Sequence, residues 1–462
     1  MNANIEPLPE AVPAVKPSDP LISIPYLILR ASTAGCSFVT GFVQTYVFAR
    51  VLDPQRFSIF IIIGAIGYTL WVTDLGLAKI LFVNLRAPHL AGRRDEQAAR
   101  QATAVIAFYA GIAVLASLVC FTIAVARAGA TLQGAADLAL FLLFITLNLA
   151  WFSLRTISIS VDLFVFFEKL ELVRRAVNIG AMLATLIGLP FTAFLLVSNI
   201  LWAMLFVTVA AKLVARGALA PELRSVPQEL ASFFRMNWSS IARSSAGALS
   251  GLFIATFPYY FVPVAYGLGA APIILEVTFR IYRGSCVIFA AICDLAIPGQ
   301  TRALAARDVG RLVRTTLLAI GLCCIPAAVA CAILMFAGGQ LFTFLLHSAA
   351  TVPAGIAPIL VVLILASILQ IVSEALLQYS GFFRSLAFNG VGVVIAMISI
   401  TIISAFAKLD IVEFLGTYAA VYAVGALCLA VAAIWGPVHA AKAHPELYIF
   451  GGLLKLRQAP SA

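Results

Sequence analysis

The stretch TTLLAIGLCCIPAAVACAILMFAG, residues 315–338, carries no charged side chain. It is long enough to cross a bilayer as one helix, since about 20 residues rising about 1.5 Å each cover roughly 30 Å of hydrocarbon. The connector before it, 299–314, holds Arg302, Arg307, Arg311 and Arg314, whereas 339–351 after it has neither Lys nor Arg. Working outward in both directions, this alternation recurs along the chain. Twelve spans are read, at 22–49, 57–83, 102–126, 138–160, 176–194, 195–214, 237–263, 273–298, 315–338, 352–375, 388–407 and 415–436. The basic side takes the connectors 84–101 (Arg86, Arg93, Arg94, Arg100), 161–175 (Lys169, Arg174, Arg175), 215–236 (Arg216, Arg224, Arg235) and 376–387 (Arg384), with both chain ends. The other side holds Arg50, Arg56, Arg127 and Lys408, and 264–272 has no Lys or Arg. Lys- and Arg-rich loops stay on the cytoplasmic face, so both termini are expected there, as an even number of spans requires.

Composition agrees: the 462 residues are 63% hydrophobic and 11% charged, with a mean hydropathy of +1.05, which excludes a water-soluble domain of this size. The solvent is membrane lipid. The net charge of +10 is scattered between spans, without a basic domain interleaved with aromatics, so no nucleic-acid partner is expected. Residues 1–20, with five prolines and Glu6, Glu10 and Asp19, lack the basic start of a signal peptide and read as a disordered cytoplasmic arm. The eight cysteines fall in apolar stretches with no Cys-x-x-Cys pair, and the four histidines are dispersed, so neither disulfide nor metal site is expected. There is no phosphate-binding glycine loop, no His-Glu-x-x-His and no Gly-x-Ser-x-Gly, so the chain reads as a non-enzyme without a cofactor.

The chain also looks doubled. Leu29-Arg30-Ala31-Ser32-Thr33-Ala34-Gly35 in span 1 is echoed by Ala242-Arg243-Ser244-Ser245-Ala246-Gly247 in span 7, and Thr73-Asp74-Leu75-Gly76 in span 2 by Cys293-Asp294-Leu295-Ala296 in span 8. Six spans return the chain to the same side, so these halves would be parallel repeats, with the substrate between them. The expected lobes are 21–218 and 219–436, followed by a cytoplasmic tail, 437–462.

Ionisable side chains inside a membrane are costly, about 2.5–3.5 kcal/mol each at the centre on insertion scales, and face a partner or a cavity. Arg30 and Arg243 lie about two turns into spans 1 and 7, and span 8 bears Glu276, Arg280 and Arg283 at spacings of four and three, on one helix face. Two readings are open. Arg30 and Arg243, about 10 Å deep, are within reach of the interface by snorkelling. Alternatively the arginines of three helices line a cavity for an anion, because the guanidinium fork matches two phosphate oxygens at once. The recurrence across three helices favours the cavity, with Arg30, Arg243, Arg280 and Arg283 as substrate-binding residues. Glu276 and Glu374 are the carboxylates available for ion coupling, while Asp74 and Asp294 lie near the interface and read as structural. Pro258, amid Phe257, Tyr259 and Tyr260, should kink span 7 and free a carbonyl.

Phe48-Ala49-Arg50-Val51-Leu52-Asp53-Pro54-Gln55-Arg56-Phe57, followed by a span closing with Asp74-Leu75-Gly76-Leu77, resembles the start of the polysaccharide-biosynthesis flippases, the Wzx-like branch of the MATE/MOP superfamily. Phe167-Glu168-Lys169 with Val177-Asn178, Pro298 through Ala306-Arg307-Asp308, and Gln378-Tyr379-Ser380-Gly381 leading to Phe388-Asn389 are similar at matching positions. The chain departs from the pattern at Leu52-Asp53, which lacks the glycine before the proline, and at Ser58. The resemblance implies an all-α protein of two six-helix lobes in a V, working by alternating access in a bacterial inner membrane. It implies as cargo a polyprenyl-pyrophosphate-linked anionic oligosaccharide moved to the periplasmic leaflet for polysaccharide export, with a polysaccharide polymerase and export machinery as partners. The arginine-lined cavities described for that family agree with Arg30, Arg243, Arg280 and Arg283. The rivals are a cation-coupled multidrug antiporter of the same superfamily, which needs more cavity carboxylate than arginine, and a membrane glycan polymerase or ligase, which needs a large outer loop. A generic twelve-helix sugar or metabolite porter is a further alternative, though its fuller acidic and glycine pattern is absent.

Overall fold

The computed structural model describes residues 24–70, 77–90, 93–127, 131–222, 224–305, 308–347, 349–380 and 383–443. The N-terminal arm, Asp74 and most of the C-terminal tail lie outside them. The helices are α1 (Ile24–Val51), α2 (Pro54–Thr69), α3 (Leu77–Leu90), α4 (Glu96–Arg127), α5 (Leu132–Ser160), α6 (Phe164–Ala184), α7 (Phe191–Ala215), α8 (Val226–Tyr266), α9 (Ala270–Ala305), α10 (Val309–Leu346), α11 (Ile356–Ser380), α12 (Phe383–Ala407) and α13 (Ile411–Ala443). No strand occurs among the described residues. With α2 and α3 taken together as the expected span 57–83, the thirteen α-helices among the described residues match the twelve expected passes in two six-helix lobes. By length and composition α4, α5, α7, α10, α11, α12 and α13 can each cross a membrane, and their exposed faces are apolar, with Phe336 and Phe406 almost fully bare.

The helices run past the ends expected from charge. The supposed connector 161–175 is a three-residue turn, after which α6 starts at Phe164 and carries Glu168, Glu171, Arg174 and Arg175 on helical backbone. These charges neutralise one another: Glu171 accepts from Arg174 at 2.6 and 2.7 Å, from Arg175 at 2.8 Å and from the Trp151 indole at 2.7 Å. A paired charge does not need a loop. Likewise α10 reaches Leu346 in what looked like a connector, and the connector 215–236 is helical from Val226.

Helix starts follow capping chemistry. Asp53 takes an extended backbone, accepts from the Arg56 N–H at 2.9 Å and precedes Pro54 at the first helical position. That is why this junction needs no glycine. Asp308 caps α10 in the same way through the Arg311 N–H, at 2.8 Å.

Packing divides the molecule along its length. Near the end opposite the termini, one apolar core is continuous through both lobes, joining Phe48, Phe57 and Phe60 with Val262, Ile274, Leu345 and Phe414. Toward the end carrying the termini, a cluster around Leu81, Tyr109, Trp151 and Trp202 takes in Phe233 and Ile241 of α8, with Arg100 of α4 paired to Glu229 at 3.3 Å, and is separate from a second-lobe cluster around Leu312, Leu377 and Leu429. The core common to most helices of both lobes thus lies at the end away from the termini, and we take that end as the apex of the V.

Polar contacts stitch that apex. Arg50 donates to the carbonyls of Phe344 at 2.7 Å and Leu345 at 3.2 Å, capping the C-terminal end of α10 from the other lobe, and stacks 3.5 Å over the Tyr46 ring. Ser58 Oγ lies 3.0 Å from both the nitrogen and the oxygen of Gly269, and the hydroxyls of Thr69 and Tyr260 are 2.6 Å apart. Inside α8 the carbonyl expected to be freed by Pro258 is that of Ile254, four residues earlier, and Tyr418 of α13 donates its hydroxyl to it.

Candidate functional site

The face of α9 that bears Glu276, Arg280 and Arg283 looks between the lobes, onto α1, α2 and α8. Arg283 lies thirteen residues into α9, about 20 Å from its start and about 33 Å from its end at about 1.5 Å per residue, so it cannot snorkel to either interface. It turns back onto Glu276. The Glu276 carboxylate is buried, accepts from the Tyr259 hydroxyl at 2.6 Å and from Arg283 Nη2 at 3.0 Å, and is paired with Arg280.

Side chains of the other lobe complete the arrangement. Gln44 of α1 accepts from Arg280 Nη1 at 3.3 Å, and the Arg283 guanidinium sits 5.2 Å from the Tyr68 ring of α2 and 5.4 Å from that of Tyr259. Arg283 also donates through Nη2 to the Tyr259 hydroxyl at 2.8 Å and through Nε to the Phe279 carbonyl at 3.2 Å. Close approach of α1 and α9 depends on small residues: a methyl group on Gly41 would come within 2.9 Å of Arg280 Cδ, and one on Gly284 within 2.5 Å of the Phe38 ring. Two guanidinium groups against one carboxylate leave the cluster with one net positive charge.

A second ion cluster, in the first lobe, also sets two arginines on one carboxylate: Arg174 is 2% exposed and spread over Trp202 at 4.2 Å, and Arg175, on the same Glu171, is 19% exposed. Arg280 and Arg283 are 18% and 25% exposed although they lie near the middle of α9. Both therefore keep some accessible surface. The buried Nε of Arg280 has no hydrogen-bond partner, and among the described residues neither has Nη1 of Arg283.

Of the six residues singled out from sequence, three are thus brought together: Glu276, Arg280 and Arg283. Glu374 on α11 lies near Cys286 and Tyr422, beside the Tyr282–Tyr422 hydroxyl pair at 2.7 Å. Arg30 and Arg243 lie on α1 and α8, and their side chains are outside the described residues. Their helix positions are fourteen residues before Gln44 and sixteen before Tyr259, about 21 and 24 Å nearer the termini end. Along their helices these backbone positions therefore lie at a different depth from the cluster on α9. Gln44 and Tyr68 were not anticipated. The signal available for Gln44 was a polar residue inside an apolar span; for Tyr68 there was none.

No protein-family model and no curated protein sequence matches the chain. Solved structures do. A multidrug-resistance MATE family transporter of the MOP superfamily in an inward-facing conformation superposes with a TM-score of 0.61 at 13% identity, over 90% of this chain and 99% of that one. An outward-facing multidrug-resistance MATE transporter gives 0.56 at 14% identity, over 90% and 96%. A MOP superfamily transporter from Pyrococcus furiosus, described by the reverse polarity of its binding pocket and a different function, gives 0.50 at 14% identity, over 86% and 99%. The chain is a multi-pass membrane protein with the fold of the MATE transporters of the MOP superfamily.

Proposed function

We propose that this chain is a flippase of the Wzx-like kind, carrying a polyprenyl-pyrophosphate-linked anionic oligosaccharide from the cytoplasmic to the periplasmic leaflet by alternating access. The observation that carries this reading is the net positive cluster of Arg280 and Arg283 with Glu276, deep between the lobes and partly open. A cationic cargo would be repelled there, whereas a diphosphate matches the fork of a guanidinium. Arg243 and Arg30, nearer the termini end, would take the cargo first. With the termini cytoplasmic, a V closed at Arg50 and Ser58 opens inward, in keeping with the higher similarity to the inward-facing MATE structure. The gap between lobes would let the lipid tail stay in the membrane while the head group crosses.

The multidrug antiporter is the second reading, favoured by what the neighbouring transporters are described as moving. The Pyrococcus furiosus neighbour, with its reversed pocket polarity, supports the view that pocket charge varies among proteins of this fold. The test is depletion of the protein in its native cell, with mass spectrometry of polyprenyl-linked lipids. Accumulation of a complete oligosaccharide unit on the cytoplasmic side is the expected result. Unchanged lipids with cations building up inside would transfer the function to drug antiport.

A further inference from the structure

The Glu276 carboxylate presents to Arg280 and Arg283 the same pair of oxygens that a phosphate would. It is placed where any anion bound by both guanidinium groups must lie or compete. Resting on the anion-cargo reading above, we propose that Glu276 is a tethered counter-ion, which holds the two arginines between transport events and yields them to the phosphate of the cargo. Three features of the geometry carry this. Glu276 is bound on both oxygens, by Arg280 on one and by Arg283 and Tyr259 on the other, so it satisfies these donors as a cargo would. Among the described residues Arg283 Nη1 makes no hydrogen bond, so a phosphate can engage that guanidinium by an unused edge before Glu276 is released, while Arg280 Nε, also unpartnered, is buried. The cluster is partly open, with Arg280 18% and Arg283 25% exposed.

The consequence is a carrier that can change conformation with or without cargo. Two uncompensated guanidinium groups could not be enclosed between closing lobes without a heavy desolvation cost; with Glu276 in place the net charge to be enclosed is one positive, and with a doubly charged diphosphate added it is one negative, so neither state encloses two like charges unopposed. A residue that merely braced α9 would have no reason to compete with an anion.

The experiment uses the purified full chain in detergent, with inorganic pyrophosphate as probe and isothermal titration as readout, comparing wild type, Glu276→Gln and Arg283→Ala. In parallel, carbodiimide labelling of Glu276 in the wild type is followed by mass spectrometry with and without pyrophosphate, which needs no variant to fold. The expected result is that Glu276→Gln binds pyrophosphate about tenfold or more tightly than wild type, that Arg283→Ala loses binding, and that pyrophosphate raises labelling of Glu276. Binding by Glu276→Gln equal to or weaker than wild type, with Arg283→Ala still defective, overturns the counter-ion role and leaves the anion site standing. Labelling that pyrophosphate does not raise has the same meaning. Pyrophosphate bound alike by all three proteins, or by none, removes the anion site and the counter-ion role with it.

Discussion

Arg283 is the residue on which most depends, because its position near the middle of α9 leaves only protein groups and the gap between the lobes to satisfy it. Arg283→Ala is expected to abolish export, since Glu276 keeps Arg280 and no buried charge is stranded. Its melting temperature in detergent should stay close to that of wild type, and cell-surface polysaccharide should vanish. Glu276→Ala differs, because it strips both guanidinium groups of their carboxylate. Breaking a buried pair from one side costs about 3–5 kcal/mol, so this variant should melt well below wild type, with Glu276→Gln, which loses the charge but keeps the shape and a hydrogen-bond acceptor, between the two. A wild-type melting curve for Glu276→Ala would show that the pair is not buried as described. The sequence already showed these three side chains on one face through their spacing of four and three. It did not show Tyr68 and Gln44, because helical periodicity reports the face of a helix and says nothing of which residue, more than two hundred positions away, will meet it.

Among the elements, α8 and α6 show how charge and proline are accommodated in lipid. Pro258 has no N–H for the Ile254 carbonyl, and Tyr418 of α13 supplies the donor. Tyr418→Phe should therefore lower stability by about 1–3 kcal/mol, the usual cost of leaving a buried acceptor unsatisfied, as measured by thermal unfolding in detergent. Adding Pro258→Ala should recover most of that loss by restoring the backbone N–H; no recovery would mean the hydroxyl does something other than satisfy that carbonyl. The kink residue could be recognised from sequence, whereas its remedy on α13 could not. The start of α6 was misread for a related reason. Glu168, Glu171, Arg174 and Arg175 look like a solvated connector when counted as charges, but Glu171 is enclosed by its own arginines and Trp151, so the segment is buried helix. Chain-local charge marks the helix ends poorly.

For the whole molecule, the twelve-pass plan and the two lobes follow from apolar span lengths and the alternation of basic connectors, while the direction in which the V opens has no sequence signal. It resides in Arg50 capping α10 and Ser58 meeting Gly269 at the apex. Arg50→Ala should loosen that end: a cysteine at Gln44, in an otherwise cysteine-free background, should become several-fold more reactive to a membrane-impermeant maleimide added from outside. Unchanged reactivity would mean the cap is not part of the closure. The central claim, that the cluster on α9 passes an anionic lipid-linked cargo, is tested most directly in proteoliposomes. These would carry a fluorescent polyprenyl-pyrophosphate oligosaccharide in both leaflets, with an impermeant reductant added outside. Wild-type protein should let the reductant bleach the inner-leaflet pool as it is flipped out, and Arg283→Ala should leave about half the signal protected. Equal bleaching by wild type and Arg283→Ala, or none by wild type, would contradict the account.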